Sequence, residues 1–154
     1  MLPLEQIHPF VIHFPIAFFL SLFLLDLYAW AKKIPLDGRG GMANLSAGLA
    51  LVAGIGATIA AIFGSLALGV ATSSGVPEAL TEPHETLGGI TASAFAIWGL
   101  VRIFVWWRRF ALGKGMIAGI ILVELALSIL IVITAFYGGQ LVYEFGVNVA
   151  PSAG

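Results

Sequence analysis

The first long apolar run of the chain opens with the stretch His8-Pro9-Phe10-Val11-Ile12-His13-Phe14-Pro15-Ile16. The run continues to about residue 31, and its opening holds two of the three histidines of the chain. About 20 apolar residues are enough for a helix to cross the hydrocarbon core of a bilayer. This stretch therefore predicts a membrane helix whose first turns carry two imidazoles.

The composition supports the same class of protein. Hydrophobic residues make up 60% of the 154 residues and charged residues only 10%, whereas a soluble domain has about 25% charged residues. We therefore predict an integral membrane protein that contacts the lipid bilayer. The net charge of −1 gives no indication of nucleic-acid binding. Because the chain has no cysteine, disulfides, thiolate metal sites and covalently attached c-type haem are excluded.

Three further apolar runs follow, so we predict an all-α chain with four transmembrane helices in an antiparallel bundle. In the second run, Gly56, Ala60 and Gly64 recur every four residues, a spacing that lets membrane helices approach closely. We expect that helix to lie at the centre of the bundle. Residues 1–154 are predicted to form one membrane domain, with helices at about 9–31, 45–71, 83–107 and 115–137 and a tail at 138–154.

The basic residues are distributed unevenly between the two sides of the membrane. Lys and Arg are absent from the N-terminus, from the loop between helices 2 and 3 and from the tail. The other two loops share the opposite side, and they and the adjoining helix ends carry Lys32, Lys33, Arg39, Arg108, Arg109 and Lys114. Because basic loops stay in the cytoplasm, we predict that both termini lie on the non-cytoplasmic side.

This topology places all three histidines on the non-cytoplasmic side. His8 and His13 lie at the outer end of helix 1, and His84 lies at the outer end of helix 3. Ala17 and Gly88 follow His13 and His84 by four residues, so each of these imidazoles lies over a small side chain. On a regular helix His8 points away from His13. We therefore expect His13 and His84 to form the pair, with His8 nearby.

Three interpretations of the histidines remain open. In the first, a b-type haem for electron transfer is held between His13 and His84, because helices of a bundle can bring two ring nitrogens within the roughly 4 Å that two metal–nitrogen bonds need. In the second, a metal ion is bound by imidazole and carboxylate, with ligands from His8, His13, His84 and one of Glu82, Glu85 or Glu144. In the third, the histidines bond backbone carbonyls in a structural or assembly subunit without cofactor.

Three ionisable residues interrupt the membrane helices: Asp26, Arg102 and Glu124. Such groups are costly in lipid and usually pair inside a bundle, so we expect Arg102 to pair with Asp26 or Glu124 as a structural clamp. No catalytic triad, phosphate-binding loop or pair of catalytic carboxylates can be recognised. The sequence therefore predicts no catalytic residue and favours an electron carrier or a subunit over a stand-alone enzyme.

Three motifs carry a family resemblance: His-Pro-x-x-x-His-Phe-Pro-Ile from His8, the Pro83-His84 pair, and Tyr-Gly-Gly-x-Leu-Val-Tyr-x-x-Gly-Val-x-Val from Tyr137. Together they resemble an uncharacterised bacterial family of small four-helix membrane proteins, a domain of unknown function. The resemblance covers nearly the whole chain and implies a four-helix protein of the bacterial inner membrane, with both termini on the periplasmic side by the charge rule above. It also implies an association, in some relatives, with c-type cytochromes or other subunits of redox complexes.

The last motif departs from the family pattern. Relatives often carry a further histidine where this chain has Phe145, and a glycine where it has Asn148. The other histidines, His8, His13 and His84, match the pattern. The tail is therefore not expected to supply a histidine ligand, and the prediction depends on the helices.

Overall fold

The computed structural model describes residues 4–147 and residue 149. Within these residues it is all-helical and has no strand, with five helices: α1 Leu4–Val11, α2 His13–Lys32, α3 Gly41–Ser73, α4 Glu78–Arg108 and α5 Lys114–Tyr143. The first two helices form one continuous apolar segment, Ile7–Lys32, so the described residues contain four helices long enough to cross a membrane. The predicted all-α, four-span fold is confirmed.

A short break at Ile12 separates α1 from α2. Pro15 has no N–H to give to the carbonyl of Val11, and the helix is interrupted one turn before the proline. On either side of the break the Ile12 N–H still donates to the His8 carbonyl at 3.0 Å, and the Ile16 N–H reaches the Ile12 carbonyl at 3.4 Å. The first span is therefore interrupted only at Ile12, whose backbone angles stay helical.

All four spans extend beyond the ends that we expected, and the extension is largest at three of these ends. The first span begins at Leu4 rather than at Pro9, α4 begins at Glu78 rather than at Pro83, and α5 continues to Tyr143 rather than ending at Tyr137. A proline near the start of a helix removes a hydrogen bond only from the first turns, where several N–H groups lack helical partners anyway. As a consequence, His8 and His84 lie within helices.

The four spans form a ring in which each packs against two neighbours, in the order α2, α3, α4 and α5. The inner face of α3 consists of alanine, glycine and serine, so its backbone approaches α4 closely. A Cβ atom added at Gly54 would lie 2.8 Å from the Phe95 carbonyl oxygen, and one added at Gly99 would lie 2.8 Å from that of Ala50. Within the ring α3 contacts both parts of the first span, α1 and α2, as well as α4, and its small residues make the close helix approach that the sequence predicted.

Three side-chain contacts cross the middle of the ring from the first span to α4. At one end the ring centroids of His8 and His84 are 6.2 Å apart. In the middle Phe19 stacks on Phe95 at 3.9 Å, within a fully apolar layer that includes Leu22 and Ile131. Towards the other end, Arg102 Nη1 lies 2.6 Å from Asp26 Oδ2. An apolar layer thus separates two polar centres.

Arg102 is clamped from three helices. Its Nη1 donates to Asp26 on α2 and to Glu124 Oε1 on α5, the latter at 2.8 Å, and its Nη2 donates to Ser46 Oγ on α3. The expected ion pair is therefore present and includes both carboxylates. We call these four residues the arginine cluster.

The loops that carry the basic residues meet at one end of the bundle, which we call the basic end. The guanidinium of Arg39 lies 3.8 Å above the ring of Trp106. Trp106 Nε1 donates to Asn44 Oδ1 at 2.8 Å, and the Leu112 N–H donates to Asp37 Oδ2 at 3.2 Å. The α2–α3 and α4–α5 connections are thereby fastened together. The opposite end, where His8 and His84 meet, is the histidine end.

The segment predicted as a tail completes the histidine end. Its first residues continue α5, and the chain then turns back so that the Val147 N–H donates to the Leu141 carbonyl at 2.9 Å. Both side chains are buried against Ala71 of α3. Residues 148 and 150–154 of this tail lie outside the described part of the chain.

Candidate functional site

His8 reaches from α1 to the backbone of α3. Its Nδ1 lies 2.7 Å from the carbonyl oxygen of Ala60. A carbonyl can only accept, so Nδ1 carries the proton and the lone pair of the neutral ring is on Nε2. The ring packs on Gly64, where an added Cβ would lie 2.9 Å from His8 Cε1. Because Gly64 lies one helical turn after Ala60, its missing side chain leaves that carbonyl open to the imidazole.

His84 is held on α4 by the same arrangement against α5. Its Nδ1 lies 3.2 Å from the Thr134 carbonyl oxygen. Gly138 lies one turn after Thr134, and a Cβ added there would come within 2.8 Å of His84 Cε1. Thr134 is itself fixed, because its hydroxyl hydrogen-bonds to that of Thr91 on α4 at 2.8 Å. Both imidazoles therefore have Nδ1 engaged by backbone and Nε2 left as the possible ligand atom.

The distance between the two ring centroids is close to that of two imidazoles bound to one metal. Two metal–nitrogen bonds of about 2.1 Å and two ring radii of roughly 1.1 Å place imidazole centres about 6.4 Å apart when both Nε2 atoms face the metal along the line between the rings. The observed distance between the centroids of His8 and His84 is 6.2 Å, with their planes at 74°. Metal-binding histidines commonly donate their other ring N–H to a backbone carbonyl, as both rings do here.

Both histidines border a cavity of about 490 Å³ at the histidine end, which we call the outer cavity. This volume lies within the range of small-molecule and cofactor sites. Its walls are mostly aliphatic and small side chains, and its polar lining comes from His8, His13, His84 and Tyr143. Most of its lining residues belong to the first span, to α3 and to the C-terminal part of α5.

A smaller cavity of about 60 Å³ lies on the other side of the two rings, towards the apolar layer. Pro15, Ala57 and Phe95 are among its lining residues, and Thr91 and Thr134 also border it. The imidazoles thus stand between a roomy outer cavity and a narrow inner one. Any flat ligand held between the rings therefore has its space on the outer side.

The sequence profile of a family described as "Predicted membrane protein (DUF2231)" matches residues 5–151. The chain belongs to this family. The match agrees with the resemblance stated from the sequence, namely to an uncharacterised family of membrane proteins. Comparisons with curated proteins and with solved structures gave no significant match.

The structure places the predicted site residues of this DUF2231 protein in two groups. His8 and His84 are brought together, half-buried, whereas His13 is exposed and reaches only the rim of the outer cavity. The pair therefore differs from the expected His13–His84 pair. The reason is the early start of the first span, which puts His8 on the same inward face as Pro15, Phe19 and Asp26.

The carboxylates proposed as ion ligands lie apart from this pair. Glu82, Glu85 and Glu144 are exposed and do not line the outer cavity. Glu144 instead accepts a long hydrogen bond from Gln140 at 3.4 Å. Within the described part of the chain, no group of three or more His, Asp or Glu side chains is arranged to hold an ion.

A signal for the observed pair was present in the sequence of this DUF2231 chain. Asp26 must face inwards because it is charged. Steps of three and four residues back from Asp26, the spacing of an inward helical stripe, give Leu22, Phe19, Pro15, Ile12 and then His8. His13 falls outside this series. The carbonyls that bond the two histidines, in contrast, could not be predicted from the side chains of their own residues. The two glycines one turn further along are the only sequence feature that points to them.

Proposed function

We propose that this membrane protein binds a b-type haem with His8 and His84 as the axial ligands, and that it serves electron transfer, as a subunit of a larger redox assembly. One observation carries the proposal: two imidazoles on different helices, each fixed through Nδ1 by a carbonyl and a glycine, stand at the separation that one iron requires. When bound, haem iron supplies one-electron chemistry.

The surroundings favour haem over a simple ion. A four-coordinate ion such as zinc takes four ligands, whereas only two imidazoles meet here and no third histidine or carboxylate joins them among the described residues. A haem iron takes four of its ligands from its own macrocycle and needs only two from the protein. The apolar outer cavity of about 490 Å³ provides room next to the rings for a flat hydrophobic ligand.

Each protein group has a definite task in this proposal. Ala60 and Thr134 hold the imidazoles in the tautomer that leaves Nε2 unprotonated, because their carbonyls accept from Nδ1. The apolar walls exclude water from the iron position and thereby favour a stable reduced state. Tyr143 lines the same cavity and is 89% exposed at the end of α5, so its hydroxyl is the available donor for a propionate.

The location and the partners form the second part of the proposal. The six basic residues at the opposite end support a cytoplasmic basic end, and hence a histidine end at the periplasmic face of a bacterial inner membrane. A haem near that face would exchange electrons with a periplasmic protein such as a c-type cytochrome, as the family resemblance implies. Lipid surrounds the apolar exterior of the bundle.

The visible spectrum of the purified protein, expressed with sufficient haem, tests the proposal. We expect a Soret band and, after extraction into alkaline pyridine, the spectrum of a b-type haem. His8→Ala and His84→Ala should each abolish the six-coordinate low-spin spectrum because each removes one axial ligand. His13→Ala is the matched control, since it removes an imidazole of the same stretch that borders the cavity but lies outside the pair.

The other outcomes separate the alternatives. A spectrum lost in His13→Ala and retained in His8→Ala would replace the pair by His13 and His84. Absence of any Soret band from the wild-type protein would reject haem. Metal analysis then distinguishes a bound ion, whose content falls in the His8 and His84 variants, from a structural subunit with no stoichiometric metal.

A further inference from the structure

The arginine cluster contains one more acidic group than basic groups. Asp26, Arg102 and Glu124 are the buried charged residues of the described chain, with exposures of 0%, 4% and 0%. They face one another from α2, α4 and α5, while α3 contributes the uncharged Ser46 and α4 also contributes Trp98, whose Nε1 donates to Glu124 Oε1 at 3.2 Å. Two carboxylates and one guanidinium would leave a net charge of −1 inside the membrane.

The unsatisfied atoms of the cluster are on the two carboxyl groups. Asp26 Oδ1 and Glu124 Oε2 have no hydrogen-bond partner among the described residues, although both are fully buried. The other oxygens of the two groups, Oδ2 and Oε1, both accept from the same Nη1 of Arg102, at 2.6 Å and 2.8 Å. The carboxyl groups of Asp26 and Glu124 are therefore bridged by one nitrogen atom of Arg102. A buried acceptor without a donor and an uncompensated buried charge are each strongly destabilising.

We propose that this cluster is a proton-binding site, in which one proton is shared by the carboxyl groups of Asp26 and Glu124. The proton brings the net charge of the cluster to zero. It also converts one of the unpartnered oxygens into a donor, directed at the neighbouring carboxyl group. Two carboxyl groups in contact characteristically share one proton because both cannot be ionised side by side.

A proton satisfies the cluster better than a metal ion does. Neither Asp26 nor Glu124 lines any of the cavities at the cluster or at the histidine end, and a metal ion needs space and several further oxygen ligands. The hydroxyl of Ser46 already accepts from Arg102, and that of Ser128 donates to the Glu124 carbonyl at 2.8 Å. A proton needs neither space nor additional ligands.

Among the described residues, the space next to Arg102 lies on the side of the basic end. A cavity of about 10 Å³, close to the smallest space that holds one water molecule, lies between Arg102 and the α2–α3 loop, where Asp37 and Trp106 also border it. In the other direction the stacked rings of Phe19 and Phe95 close the apolar layer. The proton should therefore exchange with solvent at the basic end and not with the histidine end.

Infrared spectroscopy of the purified full-length protein, in a detergent without ester groups at neutral pH, tests the proposal. We expect the C=O stretching band of one protonated carboxylic acid, shifted to lower frequency after prolonged exchange into D₂O. Asp26→Asn and Glu124→Gln should each remove the whole band. Either substitution leaves a single carboxylate against Arg102, and that carboxylate ionises in a neutral ion pair.

Glu85→Gln, at an exposed position on α4, is the matched control and should leave the band unchanged. If one amide variant fails to fold, the other suffices, because both are predicted to lose the same band. A band that persists in a folded Asp26→Asn or Glu124→Gln protein would overturn the proposal. So would a wild-type protein that has no band and is stabilised by sodium chloride relative to choline chloride, since sodium would then supply the missing charge.

Discussion

Gly138 leaves the Thr134 carbonyl open to His84, and Gly64 does the same for Ala60 and His8. In a helix the side chain one turn further along lies over the carbonyl and would cover it. A Cβ atom added at Gly138 or Gly64 would lie only 2.8 Å or 2.9 Å from the Cε1 atom of the imidazole, which is closer than Cβ atoms normally come to other atoms. The orientation of each imidazole ring therefore depends on having glycine, with no side chain, at the position one turn after the carbonyl.

Gly138→Ala should weaken haem binding about tenfold, because the methyl group pushes the His84 ring away from its carbonyl and overpacking costs about 1–3 kcal/mol. Titration of the apo-protein with haemin, followed at the Soret band, measures the effect. Gly119→Ala on the same helix is the control, since nothing lies within 4 Å of a Cβ added there. Equal affinities for the two variants would contradict the proposed role of Gly138.

At the residue scale the sequence predicted the types of group at the site better than their pairing. All three histidines were expected at one end, and all three border the outer cavity. The expected partner of His84 was His13, because each of these two imidazoles lies over a small side chain one turn further along, whereas His8 points away from His13 on a regular helix. The structure starts the first span at Leu4 rather than at Pro9, and this shift of one to two turns decides which imidazole faces inwards.

The α3–α4 contact brings the backbones of the two helices close together. Gly54 and Gly99 each face a backbone oxygen of the other helix, at 2.8 Å from a built Cβ. Backbone, unlike a flexible side chain, cannot move aside locally. The two helices would have to separate along much of their length to admit one methyl group.

Gly54→Ala should therefore destabilise the protein by about 1–3 kcal/mol, seen as a lower midpoint in thermal unfolding in detergent. The control is Gly48→Ala on the same helix, where nothing lies within 4 Å of the new Cβ. That change should be neutral or slightly stabilising, because alanine is favoured over glycine in a helix by up to about 1 kcal/mol. Equal midpoints for the two variants would contradict the close packing.

At the element scale the apolar runs predicted the four spans, and the small residues of α3 predicted its close packing against a neighbouring helix. The ends of the helices were predicted less well. By their local propensity, Pro83 and the Gly138-Gly139 pair should mark the ends of helices. Both lie inside helices in the structure. Packing of the surrounding turns stabilises these helices beyond what their local sequence favours, and such tertiary contacts cannot be read from a single segment.

For the whole molecule, the proposed orientation puts the histidine end outside the cytoplasm. The chain has no cysteine, so single cysteines can be labelled without background. Ser74→Cys, exposed between α3 and α4, should react with a membrane-impermeant maleimide in intact spheroplasts. Ala111→Cys, exposed between α4 and α5, should react only after lysis. The reverse labelling pattern would show that the protein has the opposite orientation in the membrane, with the proposed haem site at the cytoplasmic face.

The arrangement of the loops was predictable at this scale because alternation of four spans leaves no choice about which loops share an end. Contacts such as that of Arg39 with Trp106 show the two basic loops together. The arginine cluster was predictable only in part. The charge of Arg102 required an acidic partner, but its simultaneous contact with Asp26 and Glu124 depends on the ring order of the helices.

The three contacts that cross the ring have the same separation along the chain. His8 with His84, Phe19 with Phe95 and Asp26 with Arg102 each join positions 76 residues apart. The first span and α4 therefore face each other in one constant register from the histidine end towards the basic end. At two levels the two spans present identical side chains, and at the third they present opposite charges. A shift of one span along the other would therefore disturb all three contacts at once, so the arginine cluster and the histidine pair are held in register by the same two helices.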